Sequence, residues 1–351
     1  MSASGDYAVV GGRLFTGLDD LSCDLGVLDR PAPGGWVVVV PFDGAPVCAH
    51  FTTVRPAGPA PLTPPWLGPD PESWTSSLDR PAYAKRVAVI RDAIAAGDVY
   101  QVNLCRRLSG PLPPGADLAA LGALLAARNP APHAALVWLP AAGVAVASAS
   151  PESFLRRRGR EVASSPIKGT AAPGGDFGAK DRAENVMIVD LVRNDLGRVC
   201  EPGSVKVPAL CRPEPHPGLA HLVSTVRGRL RPGVGWAELL GATFPPGSVT
   251  GAPKGAAVEM IAGLEPVARG VYCGSVGWVD SARGHGDLNV AIRTFWLDDG
   301  AIHFGTGAAV TWDSTPEGEW AETELKAATL VEIASTPLKG PLGPSSRPVA
   351  V

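Results

Sequence analysis

Lysine is used sparingly in this chain, and one lysine sits where an amine could react. Of the 31 basic residues only seven are Lys, at 85, 168, 180, 206, 254, 326 and 339, which leaves 24 Arg. Lys168 lies in Pro166-Ile-Lys-Gly-Thr170, where a short apolar run gives way to a loop rich in Gly, Thr and Pro. A primary amine, unlike a guanidinium, can lose its proton and attack carbon. The same residue also suits a plainer role, a side chain snorkelling from a strand end. At a pKa near 10.4 only about one such amine in 2,500 is neutral at pH 7, and supplying the free base costs roughly 4.6 kcal/mol. A reacting Lys168 therefore needs burial or a neighbouring cation to lower its pKa.

Three acids stand beside it as candidates. Glu184 falls in the first turns of the helical stretch 179–196, and Glu322 in Glu319-Trp-Ala-Glu-Thr-Glu-Leu-Lys326. Helical Glu at three- and four-residue steps commonly forms solvated surface pairs. One Glu from each of two helices can instead converge on a cation, and two carboxylates completed by water and substrate oxygens suit Mg²⁺. Glu152 follows Ser150-Pro151. Proline fixes the backbone there, and a fixed acid can deliver a proton to a leaving group.

The elements that must hold these groups are short and numerous. Strands are expected at 7–10, 35–40, 46–51, 98–108, 133–138, 144–148, 154–157, 204–207, 221–227, 274–279, 288–296 and 301–304, where β-branched and aromatic residues cluster or alternate. Helices are expected at 83–96, ended by Gly97, and at 116–128, 179–196, 235–241, 255–264 and 316–335. In the helix at 179–196, Val189, Val192 and Leu196 form one apolar stripe. Residues 55–82 read as a Pro/Gly/Ser-rich loop or linker, and Gly305-Thr-Gly307 as a glycine turn. Strands outnumber helices and several follow one another directly, which favours an α+β layer fold over a doubly wound one.

Composition narrows the function. The formal net charge is −3 with both signs spread along the chain, which argues against nucleic acid and membrane as main partners. The apolar run Trp36–Pro41 is too short to span a bilayer, and no secretion signal opens the sequence. The six Cys, at 23, 48, 105, 200, 211 and 273, show no zinc spacing and suit free thiols in a cytoplasmic protein. Gly251-Ala-Pro-Lys254 lacks the spacing of a phosphate loop.

Long motifs then occur in a fixed order: Gly97-Asp-Val-Tyr-Gln-Val-Asn-Leu104, Ser150-Pro-Glu-Ser-Phe154, Pro166–Thr170, Asp181–Arg198, His221-Leu-Val-Ser224, Gly247–Lys254, Tyr272-Cys-Gly-Ser-Val-Gly277, Ala291-Ile-Arg-Thr294 and Glu319–Lys326. Over roughly residues 83–334 the chain resembles the chorismate-utilising enzymes. The resemblance implies the fold of anthranilate synthase component I: a two-subdomain β-sandwich core, helices outside, and the active site in the cleft between layers. It divides the chain into a shortened N-terminal subdomain with linker (1–82), a chorismate-binding catalytic domain (83–335) and a flexible tail (336–351).

Within the family, the Pro-Ile-Lys-Gly-Thr form resembles the branch that makes 4-amino-4-deoxychorismate for para-aminobenzoate and folate; anthranilate synthases usually carry Ala at the position of Lys168. The implied chemistry is addition of Lys168 at C2 of chorismate, with Glu152 protonating the departing C4 hydroxyl, and then entry of ammonia at C4. The resemblance implies Mg²⁺ on Glu184 and Glu322. It implies a substrate pocket of Gly169, Thr170, His221, Thr250 and Gly251, with Tyr272, Arg293 and the backbone amides of Gly305 and Gly307 on the side-chain carboxylate. His221 is equally consistent with an orienting or structural role. No Cys sits in a Gly-x-Cys-x-Gly elbow, so ammonia is expected from a separate glutamine amidotransferase subunit. The N-terminal part is shorter than the family's usual one and shows no clear tryptophan-binding motif, which argues against feedback inhibition by tryptophan. Anthranilate synthase, isochorismate synthase with water as nucleophile, and a catalytically silent binding homologue are the alternatives. Both expected metal acids are present, which disfavours the last.

Overall fold

The computed structural model describes residues 5–58, 66–171, 174–216 and 219–337. It opens with strands β1 (Tyr7–Val10), β2 (Arg13–Ser22), β3 (Gly35–Val40), β4 (Val47–Pro56) and the short β5 (Thr75–Ser76). Helix α1 (Arg80–Ala96), β6 (Gln101–Pro111), α2 (Leu118–Arg128), β7 (His133–Leu139), β8 (Val144–Ser150), β9 (Ser153–Arg158), β10 (Glu161–Ser165) and β11 (Ile167–Ala171) follow. Then come α3 (Ala179–Gly197), β12 (Lys206–His216), β13 (Leu219–Arg229), α4 (Trp236–Thr243), β14 (Gly251–Ala252) and α5 (Lys254–Leu264). β15 (Ser275–Asp280), β16 (His285–Asn289), β17 (Thr294–Asp298), β18 (Ala301–Val310) and α6 (Pro316–Ser335) complete the order. The mixture of helix and sheet is the α+β class expected.

The helices begin and end where local chemistry dictates. Asp79 caps α1 by accepting from the Ala82 amide at 2.8 Å, Pro81 sits in the first turn, and Gly97 closes the helix at φ 86°. Thr315 caps α6, whose buried residues Glu319, Thr323, Ala327, Leu330 and Ala334 recur at three- and four-residue steps. The stripe on α3 is buried as expected, with Ile188 added to Val189, Val192 and Leu196.

The strand pairings are antiparallel and form two runs. One run is β4-β3-β15-β16-β9-β10-β13, with β11 and β12 both on β13. The other is β7-β8-β17-β18-β6, with β5 and β14 on β6. β1 and β2 join them, since β2 pairs with β4 and β1 with β7. Residues of α3 and α4 pack into a core with the first run. Residues of α2 and α6, and separately of α1 and α5, pack against the second. The chain passes between the runs at β8–β9, through Pro151-Glu152, and at β16–β17, through Val290–Arg293. The passages are tied together: the Val290 amide donates to Glu152 O at 3.0 Å and Ser150 Oγ to Val290 O at 2.6 Å.

Three sequence expectations are corrected. The strand expected at 288–296 is two strands, broken where Arg293 adopts φ 53°; a non-glycine residue in that region ends a ladder. Gly305-Thr-Gly307 is no turn but the middle of β18. Its glycines serve close packing: a Cβ on Gly305 would lie 2.0 Å from Tyr272 Cγ, and one on Gly307 2.5 Å from Cys105 Sγ. The described part of the 55–82 linker packs on the body. Trp66 is fully buried with Nε1 donating to Ala334 O at 2.7 Å, and Trp74 Nε1 donates to Ser335 Oγ at 2.9 Å. The remainder of that linker, 59–65, and the tail from 338 lie outside the described residues.

Candidate active site

The candidate residues come from both strand runs and the helices packed on them. Lys168 comes from β11, Glu184 from α3 and His221 from β13; Glu322 comes from α6 and Gly305 and Gly307 from β18. Glu152 and Arg293 occupy the two passages.

Lys168 is aimed by a bulge. It pairs with Leu222 and Thr170 with His221, so Gly169 is the extra residue, at φ 74°. Lys168 is half-buried, and Nζ donates to Ser248 O at 3.1 Å. Burial and the Lys326 charge hold its pKa below the ordinary lysine value, against the opposing pull of Glu184, Glu152 and Glu322. Glu152 is 3% exposed. Burial pushes its carboxyl up to about 7, partly offset by the Ser248 hydroxyl, the Lys168 charge, the Ile167 amide and the Lys326 charge. A carboxyl titrating there holds its proton at near-neutral pH and can give it up.

The acids on the two helices sense one another. Burial raises the pKa of Glu184, with Lys168 and Lys180 opposing and Glu322 and Glu319 reinforcing. Burial acts the same way on Glu322, but Lys326, Lys168 and Lys180 outweigh it and its pKa falls. Lys326 Nζ meets Glu322 Oε1 at 2.5 Å and also donates to Gly307 O at 3.1 Å. A further acid, Glu319, was not among the sequence candidates. It is 3% exposed, its Oε2 is buried without a partner, and its Oε1 lies 3.5 Å from Lys180 Nζ, which is 3.9 Å from Glu184. Its three-residue spacing from Glu322 on one helix face was the signal that could have found it. Among the described residues no group of three or more His, Cys, Asp or Glu converges as a metal set. The orphaned Glu319 oxygen and the hard carboxylate donors of Glu184 and Glu322 nonetheless fit a Mg²⁺ whose shell is completed by water and substrate.

Arg293 is half-buried, burial alone lowers its pKa, and among the described residues no carboxylate pairs with it. The hairpin between β17 and β18 turns through Asp299 and Gly300, both at positive φ, and pairs Asp298 with Ala301. The alternation of an antiparallel ladder then turns the N–H and C=O of Gly305 and Gly307 away from β6, toward the edge β17 leaves after Phe295↔Phe304. Tyr272 is buried against Gly305, and burial pushes its phenol well above the ordinary value.

Two further candidates, Thr250 and Gly251, also make close contacts within the fold. Thr250 is fully buried, and its hydroxyl donates to Pro246 O and Gly247 O at 3.1 and 3.2 Å. Gly251 lets β14 approach β6, since a Cβ there would lie 2.1 Å from Gln101 O. His221 is buried at 2% exposure, and the Thr170 backbone lies opposite it.

The site thus offers a half-buried amine, a proton-holding acid, carboxylates on two helices and an arginine with no carboxylate partner among the described residues. The chain matches the chorismate binding enzyme family over residues 48–332, and it belongs to that family. It is 43% identical over 272 residues to anthranilate synthase component 1 of Streptomyces coelicolor, covering 74% of this chain and 52% of that protein. It is 42% identical over 263 residues to aminodeoxychorismate synthase component 1 of Klebsiella aerogenes, covering 72% and 57%. The chain thus spans about half the length of these curated relatives. The crystal structure of anthranilate synthase component I from Streptococcus pneumoniae aligns at a TM-score of 0.73 and 26% identity, covering 86% of this chain and 81% of that one. Among the described residues no helix is long and apolar enough to cross a membrane.

Proposed function

We propose that this chain is the chorismate-converting component of an aminodeoxychorismate synthase. The observation that carries the reading is the Lys168 amine, depressed in pKa and held beside the protonatable Glu152. Identity does not separate the anthranilate and aminodeoxychorismate relatives, at 43% and 42%. Chemistry does, because only a nucleophilic side chain at position 168 can form a covalent intermediate.

The neutral Lys168 amine bonds to C2 of chorismate, the two ring double bonds shift, and the C4–O bond breaks. Glu152 gives its proton to the departing hydroxyl, which leaves as water, while the new ammonium on C2 passes one proton to the Glu152 carboxylate so formed. Ammonia then bonds to C4, the double bonds shift back, and the C2–N bond breaks as Glu152 returns that proton to the departing nitrogen, so that Lys168 leaves as a neutral amine and the product carries a C4 ammonium. The product is 4-amino-4-deoxychorismate, and no pyruvate is lost. Arg293, Tyr272 and the amides of Gly305 and Gly307 hold the side-chain carboxylate. Glu184 and Glu322 would hold Mg²⁺, and the ion would supply neutralisation of the ring carboxylate and stabilisation of negative charge there. Lys180, now between Glu184 and Glu319, balances charge on these acids. Ammonia comes from a glutamine amidotransferase partner, and the reaction runs in the cytoplasm and serves para-aminobenzoate and folate synthesis. The two-subdomain sandwich and the boundary at 82/83 belong to the same reading.

Incubation with chorismate, ammonia and Mg²⁺ followed by mass spectrometry tests this. The expected product is 4-amino-4-deoxychorismate, converted to para-aminobenzoate only when a lyase is added. Anthranilate with pyruvate would overturn the reading in favour of the anthranilate branch.

A further inference from the structure

Ser248 reaches the Lys168 amine and shares a small cavity with Glu152, and nothing about its residue type announces it. It sits in the turn Gly247–Val249, between α4 and β14, and is 7% exposed. The turn is bolted down carbonyl by carbonyl. Pro246 O and Gly247 O accept from Thr250 Oγ1, Val249 O accepts from the buried Arg269 at 2.8 Å, and Thr250 O accepts from the Asn103 amide at 2.7 Å. Ser248 O is the carbonyl of this series that reaches the reacting amine: it accepts from Lys168 Nζ at 3.1 Å and more weakly from Asn103 Nδ2 at 3.4 Å. On its other side Ser248 lines one small cavity with Glu152, and its hydroxyl works against the burial that raises the Glu152 carboxyl.

We propose that Ser248 is the positioning residue of this site, its carbonyl orienting the Lys168 amine and its hydroxyl orienting the Glu152 carboxyl, so that nucleophile and acid are held in register by one rigid turn. This rests on the chorismate reading above. The carbonyl engages one N–H of the amine and leaves the nitrogen lone pair free to turn to the ring. The hydroxyl donates to the carboxylate once Glu152 has given up its proton, so it favours the state that follows proton transfer. A support of this kind belongs on a backbone that cannot drift, which the hydrogen bonds on residues 246–250 provide.

The two contacts separate experimentally because one is main chain and the other side chain. Ser248→Ala deletes the hydroxyl and keeps the carbonyl. Lys168 on β11, Lys326 on α6 and Asp195 on α3, across the small cavity, are the charged groups around Glu152 and remain in place. The pH profile of chorismate consumption with ammonia and Mg²⁺ is therefore expected to change on one limb. The limb that disappears in Glu152→Gln moves up by roughly half to one pH unit, the Lys168 limb stays, and kcat falls about tenfold. Ser248→Thr, which restores the hydroxyl, is expected to return the limb to its wild-type position. A Ser248→Ala profile with both limbs in place would overturn the proposal, as would equal movement of both.

The same shift is read without turnover by carbon NMR of protein labelled at the Glu carboxyl carbons, with Glu152 assigned by its loss in Glu152→Gln. If the wild-type protein does not consume chorismate, the functional reading fails. If Glu152 titrates alike in wild type and Ser248→Ala, the positioning proposal fails whatever the substrate. Should Ser248→Ala not fold, Ser248→Cys, a weaker donor of similar size, is expected to give a smaller upward shift, and no shift in it counts against the proposal.

Discussion

The two short passages between the strand runs at β8–β9 and β16–β17 carry opposite chemistry, and the contrast explains how the site divides its work. At β8–β9 the chain places Glu152, a buried acid with cations around it and a pKa near 7. At β16–β17 it places Arg293, a half-buried cation with no acid beside it among the described residues. The first end is a balance of opposing influences, in which small changes in hydrogen bonding or charge alter a protonation state. The second is a charge with no carboxylate partner among the described residues, which the proposed function completes with a ligand anion. Proton transfer wants a group poised between states, whereas anchoring wants one that is always charged.

That contrast can be broken at either end. Glu152→Gln keeps the shape and removes the proton, so kcat should fall by about 10²–10⁴-fold with little change in KM. Steady-state kinetics check this, and a main effect on KM would contradict the division of labour. The pH profile sharpens the same point. Activity should rise on the acid side as Lys168 loses its proton and fall on the alkaline side as Glu152 loses its own, both limbs belonging to the coupled pair. The alkaline limb should vanish in Glu152→Gln.

At the anchoring end the pattern reverses. Arg293→Ala should raise KM about 10–100-fold through loss of charge-assisted hydrogen bonds, with a smaller change in kcat. Gly305→Ala is the mildest probe. Its Cβ would strike the Tyr272 ring, so a cost of about 1–3 kcal/mol in a urea titration is expected, with KM raised as the ring shifts. An unchanged denaturation midpoint would show that the ring can yield.

Much of this was legible in the sequence because helix periodicity is local. Residues 179–196 and 316–335 were drawn almost at their observed bounds, Ala179–Gly197 and Pro316–Ser335. The breaks were not legible. The positive φ of Arg293 is imposed by tertiary contacts, since a stretch of β-favouring residues around it reads as continuous strand. Gly305 and Gly307 look like turn residues because glycine is used both for turning and for close approach, and only the Tyr272 ring and Cys105 sulfur decide which. Ser248 was hidden for a different reason: one of its contacts is made by its carbonyl, which every residue has.

The central claim is that Lys168 becomes covalently attached to the ring. Protein mixed with chorismate and Mg²⁺ without ammonia, quenched and digested, should yield a peptide containing Lys168 heavier by chorismate less water, absent in Lys168→Ala and discharged to 4-amino-4-deoxychorismate when ammonia is added before the quench. A Lys168→Ala enzyme that forms aminodeoxychorismate at the wild-type rate would contradict the account.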